Sequence, residues 1–138
     1  MTSPSAPGLD GFNTLIGLEI TEATPQRAVA RLRVDERHLQ PYGVVHGGVY
    51  ATMAETIASV GAAITAVARD PDQGAVGLEN HTTFVRAARA GAELVAEATP
   101  LHAGRRTQVW EVVIRDSVSG RLVARSTVRL LVTAPGEV

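Results

Sequence analysis

The run "HGGVYATMAETIASVGAAITAVAR", His46 to Arg69, constrains this chain more than any other. After the glycine pair, Gly47 and Gly48, it is built almost wholly of small and apolar residues, with one carboxylate, Glu55, among the alanines. From Val49 to Ala68 it is long enough to cross a bilayer. Its hydrophobicity comes from alanine and threonine rather than leucine, however, and a central carboxylate is costly in lipid. A helix that is apolar all round is more simply one buried inside a domain. The spacing predicts a helix that starts near Gly47 and frays near Arg69, since Pro71 in "RDPDQG" disfavours helical backbone just before it. Met53, Ile57, Val60 and Ile64 recur at helical spacing as a bulky stripe. Ala51, Ala54, Ala58, Ala62 and Ala66 add small surfaces that a sheet or second helix can approach closely.

Around this helix the chain is rich in strand patterns. "GLEITEA" and "RAVARLRV" flank Pro25, and in the second Ala28, Ala30, Leu32 and Val34 alternate with Arg27, Arg31 and Arg33. That is a period of two with one wet face. After the helix come "AVGLENHTTFVR", "AELVAEATPLHA", "TQVWEVVIRD" and "RLVARSTVRLLVT", separated by Gly91, Gly104 and "DSVSG". Short connections favour antiparallel hairpins, and strands that do not alternate with helices exclude a doubly wound sheet. The expected fold class is α+β. Either a long central helix is wrapped by an antiparallel sheet of five or six strands, or the helix lies on one face of a sandwich.

The length, 138 residues, allows one domain with a real core, and 45% apolar against 20% charged residues argues against disorder. "MTSPSAPGLDG", residues 1–11, reads as a flexible tail without the features of a secretory signal, 12–133 as the domain, and 134–138 as a second tail. A net charge of −1 with no basic stripe excludes nucleic acid as a natural partner. No membrane partner is expected, and the cytoplasm is the default location. The absence of cysteine removes thiol nucleophiles and cysteine-based zinc sites. His38, His46, His81 and His102 lack metal-ligand spacing, so no metal is expected.

Glu55 carries the question of function. Its helical neighbours, Ala51, Thr52, Ala58 and Ser59, include no cation. It is either a structural carboxylate on a partly exposed face, or a general base or nucleophile in a cleft. Gly47 and Gly48 stand where N–H groups lack intrahelical partners and the helix dipole is positive. Such a terminus can hold a developing oxyanion, or it can serve as a tight turn. Gly47 and Glu55 are eight residues apart, roughly 12 Å along a helix axis at about 1.5 Å per residue. One acyl carbon cannot meet both on a single helix. A shared reaction therefore requires two chains, and a two-fold homodimer with antiparallel helices supplies the geometry twice. Ser59 can bond the carboxylate, place a water, or bond back to its own helix. Gln40 can orient substrate or loop, and His46 can act as an acid or base or make a structural hydrogen bond.

The pieces Gln40, "GVVHGGVYATMAETIAS", "VGLENHTTFVR", "LHAG" and "RDSVSGRLVARSTV" occur in an order that resembles the hotdog-fold acyl-CoA thioesterases. The resemblance is to the phenylacetate-pathway type and most to the 4-hydroxybenzoyl-CoA thioesterase branch. It implies a hotdog fold and hydrolysis of an acyl-CoA thioester, aromatic such as 4-hydroxybenzoyl-CoA or medium-chain, to the free acid and coenzyme A. The implied catalytic residues are Gly47, whose amide polarises the carbonyl, and Glu55 from the opposite subunit, with Ser59 near the hydrolytic water. Gln40 and His46 support the carbonyl and its loop. Arg86, Arg105, Arg106 and Thr82 are implied contacts of coenzyme A, which enters as part of the substrate, with no other cofactor. Pro41 and Tyr42 depart from the branch near the acyl pocket. A homodimer, paired into a dimer of dimers, is the implied assembly. The alternatives are a hotdog dehydratase or hydratase with His46 as base, and a non-catalytic acyl-CoA binding module.

Overall fold

A computed structural model describes residues 11–137, so the tail expected over 1–11 falls outside the described residues except for Gly11. A short helix, α1 (Phe12–Ile16), leads into β1 (Glu19–Ala23) and β2 (Ala28–Arg33). A single 3-10 turn (Glu36–His38) precedes the long helix α2 (Gly47–Arg69). Then follow β3 (Gly74–Phe84), β4 (Glu93–Ala103), β5 (Thr107–Asp116) and β6 (Leu122–Thr133). The strands form one antiparallel sheet in the order β1-β2-β4-β5-β6-β3. β4, β5 and β6 pair as successive hairpins through the turns expected at Gly104 and "DSVSG".

α2 touches all six strands, which decides for a wrapped helix over a helix on one face of a sandwich. The hotdog fold follows from this arrangement. Met53, Ala54, Ile57, Ala58 and Ala62 have no exposed surface and share one core with Leu32, Leu94, Trp110, Ile114 and Leu130 from the sheet. The middle of the helix comes close to the sheet at Gly61, where an added Cβ would lie 2.5 Å from the Trp110 ring. Trp110 donates its indole N–H to Gln108 Oε1 (2.8 Å), and Gln108 donates in turn to the Ala62 carbonyl (3.2 Å).

The bulky stripe expected on α2 is only half inside. Met53 and Ile57 are fully buried, Val60 is partly exposed and Ile64 is 39% exposed. The buried face winds around the helix, from Tyr50 and Met53 at one end to Ala62, Thr65 and Ala66 at the other. A straight stripe therefore starts under the sheet and ends outside it. Nor is the helix buried all round, because Glu55, Ile64 and Val67 face outward in a single chain.

Candidate active site

The loop before α2 is built by local hydrogen bonds. Gln40 N–H donates to Val44 O and Gly43 N–H to Gln40 O, with Gly43 in the left-handed region at φ 82°. The Gln40 side-chain oxygen accepts from Tyr42 N–H, so this glutamine holds its own turn. His46 N–H donates to His38 O (2.9 Å), and Val45 N–H to Ala88 O (2.8 Å). His46 is the N-cap of α2, its Nδ1 accepting from Gly48 N–H at 2.8 Å. That use of the Nδ1 lone pair puts the proton of the neutral ring on Nε2.

Gly47 N–H is in the first helical turn, where no intrahelical acceptor exists, and it finds no partner among the described residues. The Phe84 ring covers the glycine, and an added Cβ would sit 2.4 Å from it. The absent side chain is thus required by the ring. Tyr50, one turn on, packs against Phe84 with ring centroids 6.0 Å apart and points its hydroxyl at Arg86 O (3.4 Å). Burial pushes the Tyr50 phenol above its ordinary range, against the opposing effect of a hydrogen bond from the Ala88 backbone. Together Gln40, Tyr42, His46, Gly47, Phe84 and Arg86 line a cavity of about 570 Å³.

Glu55 opens into a separate groove with Asn13, Thr56, Ser59, Val60 and Ala63. α1 helps to form it, since Thr56 donates its hydroxyl to Asn13 Oδ1 at 3.1 Å. On its other side the carboxylate lies over Gly77 of β3, where an added Cβ would come within 3.4 Å of Oε2. Gly77 stands at a bulge in the β3–β6 ladder, a position at which a glycine gives another group close access to a strand.

One chain therefore brings Gln40, His46, Gly47 and Arg86 together, and Glu55 with Ser59, but does not join the two groups. Arg105 lines a third cavity with Arg69, Asp70 and Gln73 at the C-terminal end of α2, and Arg106 neighbours it in the β4–β5 turn. That end is roughly 33 Å from Gly47 along the helix, by the same rise per residue. Thr82 faces inward, its hydroxyl engaged with Asn80 and Ser126.

An unpaired amide at a helix start can polarise a carbonyl, and an outward carboxylate can serve as base or nucleophile. Residues 42–123 fit the pattern of the thioesterase superfamily. The chain belongs to that superfamily. A 1,4-dihydroxy-2-naphthoyl-CoA hydrolase of Listeria monocytogenes is 38% identical over 119 residues, 86% of this chain and 94% of that one. A Mycobacterium tuberculosis protein, provisionally named an esterase, is 44% identical over 119 residues, 86% of this chain and 84% of that one. The crystal structure of a Haemophilus influenzae thioesterase superposes with a TM-score of 0.82 at 34% identity, covering 91% of this chain and 84% of that one.

For this thioesterase-family enzyme, sequence reasoning missed Tyr50, Phe84, Asn13, Gly77 and Asn80. Gly77 had a signal, a glycine inside a strand pattern. Phe84 and Tyr50 had none, since each could equally have been core.

Proposed function

We propose that the chain hydrolyses an aromatic acyl-CoA thioester as a two-fold homodimer, with Gly47 of one subunit and Glu55 of the other at each site. The observation that carries this reading is the separation of the two groups, which open into different clefts of one chain about 12 Å apart along α2. Antiparallel pairing of two helices would bring each Glu55 to the other chain's free amide. The exposed apolar side chains Leu78, Phe84 and Val85 on and beside β3, an edge strand paired only to β6, offer a surface for that contact.

Gly47 N–H would donate a hydrogen bond to the thioester oxygen as negative charge develops on it, in the positive field of the helix terminus. Glu55 would either attack the carbonyl carbon, giving an anhydride that water then cleaves, or take a proton from the water that attacks. In both routes the C–S bond breaks, the sulfur leaves as coenzyme A thiolate and is protonated, and the acyl group departs as a carboxylic acid. Ser59, one turn along, is suited to hold the water. Arg86 is exposed at the rim of the Gly47 cavity and suited to a phosphate of coenzyme A. An aromatic acyl group fits the rings of Tyr42, Tyr50 and Phe84, and the Listeria relative acts on such a group. A dehydratase with His46 as base is disfavoured, because the ring's Nδ1 lone pair already caps α2.

The test is a subunit mixture assayed by thiol release. Glu55→Ala and His46→Ala proteins are each expected to be nearly inactive. Unfolded and refolded together in equal amounts, they should recover about a quarter of wild-type sites, because half the dimers are mixed and each has one intact site. No recovery from a folded mixture would reject the shared site.

A further inference from the structure

We propose that Asn80, Thr82 and Ser126 form a one-way hydrogen-bond relay that holds the helix turn carrying Glu55, making Asn80 a positioning residue for hydrolysis. The proposal rests on the role given to Glu55 above. Ser126 on β6 is 1% exposed and is the cross-strand partner of Thr82 on β3. Their hydroxyl oxygens are 2.7 Å apart. Thr82 donates to Asn80 Oδ1 at 2.7 Å, and Asn80 Nδ2 donates to the Ala51 carbonyl at 2.9 Å.

Proton counting fixes the direction. A backbone carbonyl only accepts, so the amide nitrogen of Asn80 must face Ala51 and its oxygen must face Thr82. Thr82 has one O–H and spends it on Asn80, so it accepts from Ser126. Every group in the chain then has one assignment, running from the sheet to the helix.

The end point of the relay matters. Ala51 O is the carbonyl that the α-helical pattern pairs with the N–H of Glu55. Asn80 thus grips the turn on which Glu55 is mounted, while Gly77, three residues earlier on the same strand, lies under the carboxylate. β3 continues to Phe84, which covers Gly47. A shift of α2 along β3 would move both reacting ends, and misplacement of about 1 Å is enough to slow a positioned reaction severely. Asn80 and Thr82 face the helix side together, as alternate strand residues must, while His81 and Thr83 face outward. This geometry assigns Thr82 to the relay rather than to coenzyme A.

Thr82→Val keeps the shape and β-branching but removes the hydroxyl, whereas Thr82→Ser keeps it. With benzoyl-CoA as probe, or another aryl-CoA that the wild type turns over, Thr82→Val and Asn80→Ala should each lower kcat about tenfold and leave KM within about twofold. The same factor should appear with the matching pantetheine ester. Thr82→Ser should stay within about twofold of wild type, and Asn80→Ala/Thr82→Val should be no slower than Asn80→Ala alone. Folding is checked by circular dichroism, and if Asn80→Ala does not fold, the Val and Ser variants decide alone. Full kcat in folded Thr82→Val overturns the relay, as does a rise in KM confined to the coenzyme A ester. An inactive Glu55→Ala enzyme beside a fully active Thr82→Val enzyme rejects only the relay, whereas a fully active Glu55→Ala enzyme rejects the parent reading.

Discussion

The two faces of α2 share one backbone and serve different ends. The face toward the sheet, Met53, Ala54, Ile57, Ala58, Gly61 and Ala62, is sealed and uniformly apolar or small. The outward face carries Glu55, Thr56, Ser59 and Ala63 along an open groove, with Ile64 and Val67 beyond. The first face decides whether the chain folds, and under the proposed function the second decides what the folded chain does. A substitution should therefore move either stability or rate, according to the side it falls on.

The sharpest way to break this contrast is on the sealed side. Ile57→Ala empties space at a site with no exposure and should cost about 2–5 kcal/mol of unfolding free energy, read from denaturant melts. The protein that remains folded should keep its turnover number. On the open side, Glu55→Ala should lower kcat about a hundredfold, equivalent to roughly 2.7 kcal/mol on the barrier, with stability within about 0.5 kcal/mol of wild type. A large loss of stability there would make Glu55 a structural carboxylate and end the distinction.

Arg86→Ala lies off the helix and tests whether recognition is separable from both faces. It should raise KM for a coenzyme A ester about tenfold and leave the matching pantetheine ester nearly unchanged. Equal effects on the two esters would remove a phosphate role. The smallest effect concerns Tyr50, whose phenol burial pushes up in the folded chain. The stabilisation is complete below the ordinary phenol pKa, near 10, and is lost as pH climbs through the higher folded value. Thermal melts at rising alkaline pH should therefore fall more steeply for wild type than for Tyr50→Phe.

Local signals made much of the fold legible. The glycine pair and Pro71 bracket α2, and the observed helix runs from Gly47 to Arg69 as expected. The hairpins from β4 to β6 follow from Gly104 and "DSVSG", because turn chemistry is local. What sequence could not give was pairing at a distance. That β2 lies beside β4 and β3 beside β6 depends on closing the sheet around the helix. The same limit explains Ile64, whose exposure follows from the winding of the buried face rather than from its own spacing. At the site, the helix arithmetic separated Gly47 from Glu55 correctly, since it needs only the rise per residue. A structural hydrogen bond was one of the two roles open to His46, and its cap on Gly48 is that role, whereas the grip of Asn80 on Ala51 was hidden because it depends on where a side chain points after folding.

The contact of Gly61 with Trp110 binds two distant points of the chain into one inheritance. The indole cannot swing aside without giving up Gln108, and Gln108 cannot move without releasing the helix. Even one methyl at position 61 must displace that whole assembly. As descendants of this chain drift, these two sites can change only in concert, so a saturation screen should find almost no single substitution accepted at either.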